Sequence, residues 1–313
     1  MLIKFWGVRG SVPSPITSTV FRNKVTAILN RLTPRDLESA ANREIFLAHL
    51  PPELFGTIGG NTTCLEIRSD EDEIFIVDGG TGLRELGQNL NYPKDKGMTF
   101  HFFFTHFHWD HLQGIPFFAP FFNPKNTIHF YSAVKGFENI LREQMKTPYF
   151  PVPMSVFPST MVFHELSGEP LNFGGMNISY RAVYHPQGCT AYRFEERGRV
   201  AIFSTDTELK TSDFHKTSEN VTFYENVDIL ILDAQYTLGE AIDKTNWGHS
   251  SYSMAVDFAL EYGIKKLFLF HHEPNYSDAY LEDIKRLALW YLQHNGHDGL
   301  EIDLAREGVE IDL

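Results

Sequence analysis

Two rhythms of apolar and polar positions alternate along this chain, and the changes between them mark its parts. "LIKFW" (Leu2 to Trp6), "TTCLEI", "EIFIVD", "TFHFFFTH" and "TIHFYS" are short runs that read as strands, joined by glycine-rich turns. The second half repeats the texture in "MNISYRAVYH", "TAYRFEE", "RVAIFST" and "KKLFLF", while the apolar "VDILILDA" suits a strand covered on both faces. Between residues 17 and 55 the apolar spacing turns helical, and Thr33-Pro34 reads as the cap and first residue of a second helix. That segment is predicted to be a helical hairpin inserted between two strands. Two further helices are predicted, from Ser250 to Tyr262 and from Ser277 to His294. Two strand-rich halves, each closed by helices, predict an α/β fold of two sheets packed face to face with helices outside. With no repeat, low-complexity tract or linker in view, residues 1–313 are expected to form a single domain.

Composition narrows this picture only in places. The 27 Lys and Arg against 40 Asp and Glu leave a formal charge of -13, which repels a polyphosphate backbone and disfavours nucleic acid as a partner. Cys64 and Cys189 stand far apart and outside any CxxC pattern, which excludes a disulfide framework and a cysteine zinc site. The start "MLIKFWGVRGSVP" lacks the features of a signal peptide, and no apolar run approaches the ~20 residues of a membrane span. The expected location is the cytoplasm, with no membrane partner.

The chemistry concentrates in "FFFTHFHWDHLQGIPFF", Phe102 to Phe118, where three histidines and an aspartate occupy six positions after an aromatic run. Polar groups so placed cost free energy unless something satisfies them, and a metal does. In extended backbone His106 and His108 project to the same side and reach one ion, while Asp110 and His111, just beyond the strand, turn toward a second. Imidazole and carboxylate suit zinc, manganese or iron, and two such ions make a hydrolytic pair. One loop cannot saturate two ions, so the reading demands donors at other strand ends; His185, Asp206 and His271 supply them. Chemistry alone leaves His271 and His272 as alternatives. "VDGGTGLRELG" lacks the spacing of a nucleotide-cofactor loop. The aromatics of "IPFFAPFF" and "TPYFPVP" read as loop packing or, more sharply, as an apolar wall for a base or a dimer contact.

"THFHWDH" resembles the HxHxDH signature of the metallo-β-lactamase fold superfamily. "FWGVRGSVP", "GGNTTCLEI", "VDGGTGLRELG", "HPQGCTAYRFE", "FSTDTE", "DAQYT", "WGHSS" and "LFHHEPNYSD" extend the likeness to a cyclic-nucleotide-phosphodiesterase-like branch and to the tRNA 3′-processing endonucleases. The resemblance implies a four-layer αββα sandwich and two divalent ions, zinc first and manganese or iron as alternatives. It puts His106, His108 and His185 on one ion, Asp110, His111 and His271 on the other, and Asp206 between them. Asp78 would lie behind the site and orient a histidine. His249 would protonate the leaving oxygen, Asp110 would hold the attacking water, and His272 would contact substrate or orient its neighbour. The implied reaction is hydrolysis of a small phosphodiester such as a cyclic nucleotide. RNA 3′-end processing and acyl hydrolysis on a lactone, thioester or β-lactam are the competing readings. The insertion at 17–55 departs from the branch pattern and is expected to form a lid or a homodimer contact.

Overall fold

The computed structural model describes residues 1–90 and 96–313. Fourteen strands are found among these residues: β1 (Leu2–Gly7), β2 (Cys64–Arg68), β3 (Ile74–Val77), β4 (Thr99–Phe103), β5 (Thr127–Ser132), β6 (Thr160–Glu165), β7 (Leu171–Phe173), β8 (Met176–Val183), β9 (Cys189–Glu196), β10 (Arg199–Ser204), β11 (Ile229–Asp233), β12 (Lys266–Phe270), β13 (Glu301–Leu304) and β14 (Glu310–Asp312). They build two seven-stranded sheets, in the orders β14-β1-β2-β3-β4-β5-β6 and β13-β12-β11-β10-β9-β8-β7. β3 to β6 run parallel, as do β10 to β13, and the remaining pairs are antiparallel. The sheets face each other with helices outside, as the two strand-rich halves predicted.

Period-two alternation decides which core each residue joins. Phe75, Val77 and Phe103 pack between the sheets against Phe194, Phe203 and Phe270. Their neighbours Ile74, Ile76, Phe100 and Phe102 point to the other face, against Leu83 and Leu86 of helix α5 (Gly82–Asn89) and Leu141 of α6 (Phe137–Gln144). Each such fully buried side chain contributes about 1.5–3 kcal/mol, which holds the strand ends rigidly in place.

The 17–55 segment is not a two-helix hairpin. It forms α1 (Ser18–Leu29), α2 (Pro34–Leu37), α3 (Ala40–Ala48) and α4 (Pro52–Phe55). Thr33-Pro34 opens α2 as expected, but Ser39 caps a new helix by accepting from Asn42 N, and Pro51-Pro52 restarts the chain once more. None of the residues in these four helices is buried. The segment is tied down by Lys24, whose Nζ lies 2.6 Å from both Asp278 Oδ2 and the Gly56 carbonyl. Four strands escaped the periodicity reading, namely β6, β7, β13 and β14. They lie at the sheet edges, where strands of three to six residues with few buried side chains carry little apolar pattern. After α7 (Ser218–Tyr224) and α8 (Leu238–Asp243), α9 (Tyr252–Glu261) packs behind β11 and β12, and α10 (Asp278–His294) packs against β13 and α9; α9 and α10 each fall within two residues of their expected bounds. Among the described residues no helix is long and apolar enough to cross a membrane.

Candidate metal centre and active site

Parallel strands deliver their C-terminal ends to one rim of the sandwich, where ligands of open α/β sheets bind. β3 ends into Asp78, β4 into His106 to His111, β10 into Asp206, β11 at Asp233 and β12 into His271. The backbone turns sharply there: Asp78 (φ 60°), Asp206 (φ 48°) and His271 (φ 60°) all occupy the left-handed region that non-glycine residues avoid. Such strain clusters where side chains must be aimed. β4 stops at Phe103, short of the extended run expected through His106, and Trp109–His111 form a tight 3-10 turn. The convergence expected of His106 and His108 nevertheless holds, with ring centroids 4.5 Å apart.

Beside a third set, Asp233, His249 and His271, two donor groups share a residue, His106, His108, His185 and Asp206, and Asp110, His111, Asp206 and His271, the ligand atoms in each lying within 4.8 Å of one another. Asp206 belongs to both. Its Oδ1 stands 3.7 Å from Nε2 of His106 and of His185, and its Oδ2 stands 3.2 Å from Nε2 of His111 and of His271. Asp110 Oδ2 lies 3.3 Å from the last two nitrogens and accepts from Ser11 N at 2.8 Å. All of these side chains but His108 are buried.

Outer contacts set the histidine tautomers. His185 Nδ1 faces the Gly248 carbonyl at 3.0 Å, which can only accept, so Nδ1 carries the hydrogen and Nε2 presents a lone pair. Asp78 accepts from His111 Nδ1 at 2.8 Å, with the same result. Thr105 Oγ1 donates to Asp78 at 2.7 Å and therefore accepts from His106 Nδ1 at 3.1 Å, again freeing Nε2. The buried Nε2 atoms of His106 and His111, both facing Asp206, have no hydrogen-bond partner; the unpartnered Nδ1 of His271 lies on the other side, 3.6 Å from Asp233 Oδ2. Unpartnered buried nitrogens around a shared carboxylate fit divalent cations, whose attraction would offset the cost of burying them. Gly248 (φ +93°) permits this packing, since a Cβ there would lie 2.1 Å from His185 Nδ1.

Burial favours neutral His249, but Asp233 Oδ2, 2.7 Å from its Nδ1, outweighs this and pushes its pKa up to about 9. Ser251 Oγ caps α9, accepting from Met254 N, while Ser250 Oγ donates to the Thr207 carbonyl. A cleft of about 400 Å³ opens over the cluster, lined by Ser11, His108, Asp110, Asp206, His249 and His271, with Phe107 and Trp109 at its wall.

His272 does not share this cleft. It is 1% exposed, its Nε2 donates to the Ala305 carbonyl at 2.9 Å, and burial followed by the Arg9 charge lowers its pKa to about 3. The substrate contact expected of it is therefore corrected: the left-handed backbone of His271, just past β12, aims that ring at the cleft, and His272, whose N–H donates to the Val8 carbonyl, turns inward. Sequence reasoning passed over Asp233 and Ser11. Asp233 had a signal, a carboxylate ending the apolar run "ILILD" just as Asp78 follows "IFIV". Ser11 acts through its backbone N–H, which no side-chain pattern announces.

Residues 75–272 match the beta-lactamase superfamily domain. A ribonuclease Z of Streptococcus pneumoniae (strain CGSP14) is 21% identical over 280 residues, covering 73% of this chain and 88% of that protein. The metallo-beta-lactamase fold protein YhfI from Bacillus subtilis superposes with a TM-score of 0.63 at 17% identity, over 99% of this chain and 98% of the other. A diphosphatase from the PhnP family gives 0.63 at 16%, over 100% and 97%, and human tRNase Z, short form, gives 0.61 at 16%, over 100% and 99%. The chain belongs to the beta-lactamase superfamily and has the metallo-β-lactamase fold.

Proposed function

We propose that this protein is a binuclear phosphodiesterase acting on a small nucleotide such as a cyclic nucleotide. The observation that carries the reading is the division of Asp206 between two donor groups beside His249, whose Nδ1 is held 2.7 Å from Asp233 Oδ2. His106, His108 and His185 would hold one ion, Asp110, His111 and His271 the other, and Asp206 both. When bound, two divalent cations, zinc by this donor set, neutralise phosphoryl charge and lower the pKa of water. Asp110, fixed by the Ser11 N–H, orients the attacking water, and His249 gives its Nε2 proton to the leaving oxygen. Phe107 and Trp109 exclude solvent from one side. Relatives named ribonuclease Z, tRNase Z and a PhnP-family diphosphatase support chemistry at phosphorus.

The ribonuclease Z likeness over 73% of the chain favours RNA 3′-end processing as a second reading, against which the charge of -13 weighs. RNA binding that weakens steeply with salt would support that reading. The reaction class is tested by reconstituting the protein with zinc, manganese or iron and offering bis(p-nitrophenyl) phosphate, a simple lactone and a β-lactam, with His106→Ala as control. Cleavage of the diester alone, abolished in the variant, is the expected outcome; turnover of the acyl substrates with an inert diester overturns it. A cytoplasmic location and a homodimer complete the proposal. The dimer contact falls on the 17–55 helices, whose Phe21, Leu29, Ile45 and Phe55 are exposed, and Phe21→Asp with Phe55→Asp should yield monomers in sedimentation.

A further inference from the structure

A second, larger cleft adjoins the metal-ligating cluster. It measures about 1040 Å³ and shares Phe107 and Trp109 with the cleft over the cluster, so the two adjoin at these two side chains. Its far side is built by Phe117, Tyr149 and Phe150, with the Phe117 and Phe150 rings edge to face at 6.0 Å. Trp109 is 77%, Phe117 54% and Tyr149 75% exposed. Large aromatics gathered around one hollow next to a reaction centre mark a binding site and not a loop that failed to pack.

The polar lining sharpens the choice of ligand. Arg84 is the one cation among the lining residues, and its Nη1 already donates to Glu85 Oε1 at 2.8 Å. Glu143 is paired with Lys146. A chain of phosphates finds no basic track here. Gln144 differs: it lines the same cleft, and its Nε2 is buried with no hydrogen-bond partner. A buried amide donor left unsatisfied costs free energy until an acceptor arrives. Gln113 lines the cleft as well, and aromatic faces together with the unpartnered amide donor of Gln144 suit a planar ring carrying a carbonyl or a ring nitrogen.

We propose that this cleft is a base site, which takes the nucleobase of a mononucleotide or dinucleotide diester while the phosphate lies at the Asp206 cluster. The inference rests on the phosphodiesterase reading and specifies its substrate. The base lies among Phe117, Tyr149, Phe150 and Trp109, and Gln144 Nε2 donates to an acceptor on its edge. The phosphate interacts with the cluster whichever base is present, so specificity resides in the cleft.

Binding separates this inference from turnover. Calorimetric titration of the metal-loaded protein with AMP, UMP and ribose 5-phosphate compares ligands of similar phosphate with and without a base. At least one nucleotide should bind about 10-fold or more tightly than ribose 5-phosphate, the size that base–aromatic stacking supports. Phe117→Ala and Gln144→Leu should each cut that preference at least about 3-fold, with ribose 5-phosphate affinity and metal content unchanged. Equal affinities in the unaltered protein, or a preference that survives both substitutions, would overturn the base site. If bis(p-nitrophenyl) phosphate is cleaved while the three ligands bind alike, the base site falls and the hydrolytic reading stands. If the base preference is present and lost in both variants but no diester is cleaved, the base site stands and the phosphodiesterase reading falls.

Discussion

Two groups of histidines in this molecule show how little a cluster of imidazoles says by itself. His101 on β4, His129 on β5 and His164 on β6 form a ladder across one sheet, with ring centroids 5.3 and 5.2 Å apart. The five histidines of the rim are packed as closely, His106 and His111 at 4.2 Å. The difference is in what lies between the rings. In the ladder the histidines satisfy themselves: His129 Nδ1 and His164 Nε2 share a hydrogen at 2.9 Å, and His101 Nδ1 pairs with the Tyr131 hydroxyl at 3.2 Å. At the rim Asp110 and Asp206 stand between the rings, and two ring nitrogens facing Asp206, Nε2 of His106 and of His111, are buried without partners. Carboxylates among unsatisfied nitrogens, and not histidine density, identify a cation site.

Asp206→Asn breaks the comparison most severely, because one substitution removes charge from both rim groups. Metal analysis of the reconstituted protein should show loss of at least one ion, and diester turnover should fall by about 10³-fold or more. His164→Ala, the matched change in the ladder, should leave metal content and turnover within about 2-fold of the unaltered protein, the behaviour of a site remote from the chemistry. An Asp206→Asn protein that kept two ions would end the assignment of Asp206 to both groups.

A smaller effect is expected from His249→Ala, which should lower kcat by about 10²- to 10⁴-fold while metal content holds. Loss of metal in that variant would make His249 a ligand and not an acid. Asp233→Asn should cost about 10- to 100-fold, since Asp233 holds His249 through the 2.7 Å contact and acts only by positioning it. Activity equal to that of the unaltered protein would remove Asp233 from the site.

The strand ends that build the rim were legible because each has a local signature, an apolar run followed at once by His or Asp, as in "IFIVD", "RVAIFSTD" and "KLFLFH". The central strands were legible for the same reason. What escaped depends on contacts distant in sequence. β14 exists because β1 offers it an edge 306 residues away, through pairs such as Lys4 with Glu310. Ser11 reaches Asp110 because Gly10 N donates to the His272 carbonyl and His272 N to that of Val8, tying the loop after β1 to the end of β12. The inward turn of His272 follows from β12 ending in a left-handed residue, and neighbouring histidines carry no sign of which is which. The histidine ladder went unread because its members lie on three strands, one histidine to each.

The ladder sharpens the comparison through acid stability, where the effect is smallest. His101 is 7% exposed against Phe75 and Phe173, and burial, then His129 and His164, lower its pKa to about 4. Burial also lowers His129, and burial with His129 lowers His164; besides these the Tyr131 hydroxyl and Glu73, 3.4 Å from His101 Nε2, face the group. An unfolded chain takes up a proton near the ordinary value of about 6.5, whereas folded His101 refuses it until about pH 4. The unfolded state thus binds more protons across that window, and the contribution of His101 is full above pH 6.5 and is lost as pH falls toward 4. His101→Phe keeps a ring in the stack and removes the titration. It should cost about 1 kcal/mol near neutral pH, because Tyr131 loses a partner. Between pH 6.5 and 4 its stability should fall less steeply than that of the unaltered protein, by at most about 1.4 kcal/mol per pH unit in urea unfolding. Parallel acid curves for the two proteins would show that the ladder titrates as freely as exposed histidines, and the contrast with the rim would then rest on geometry alone.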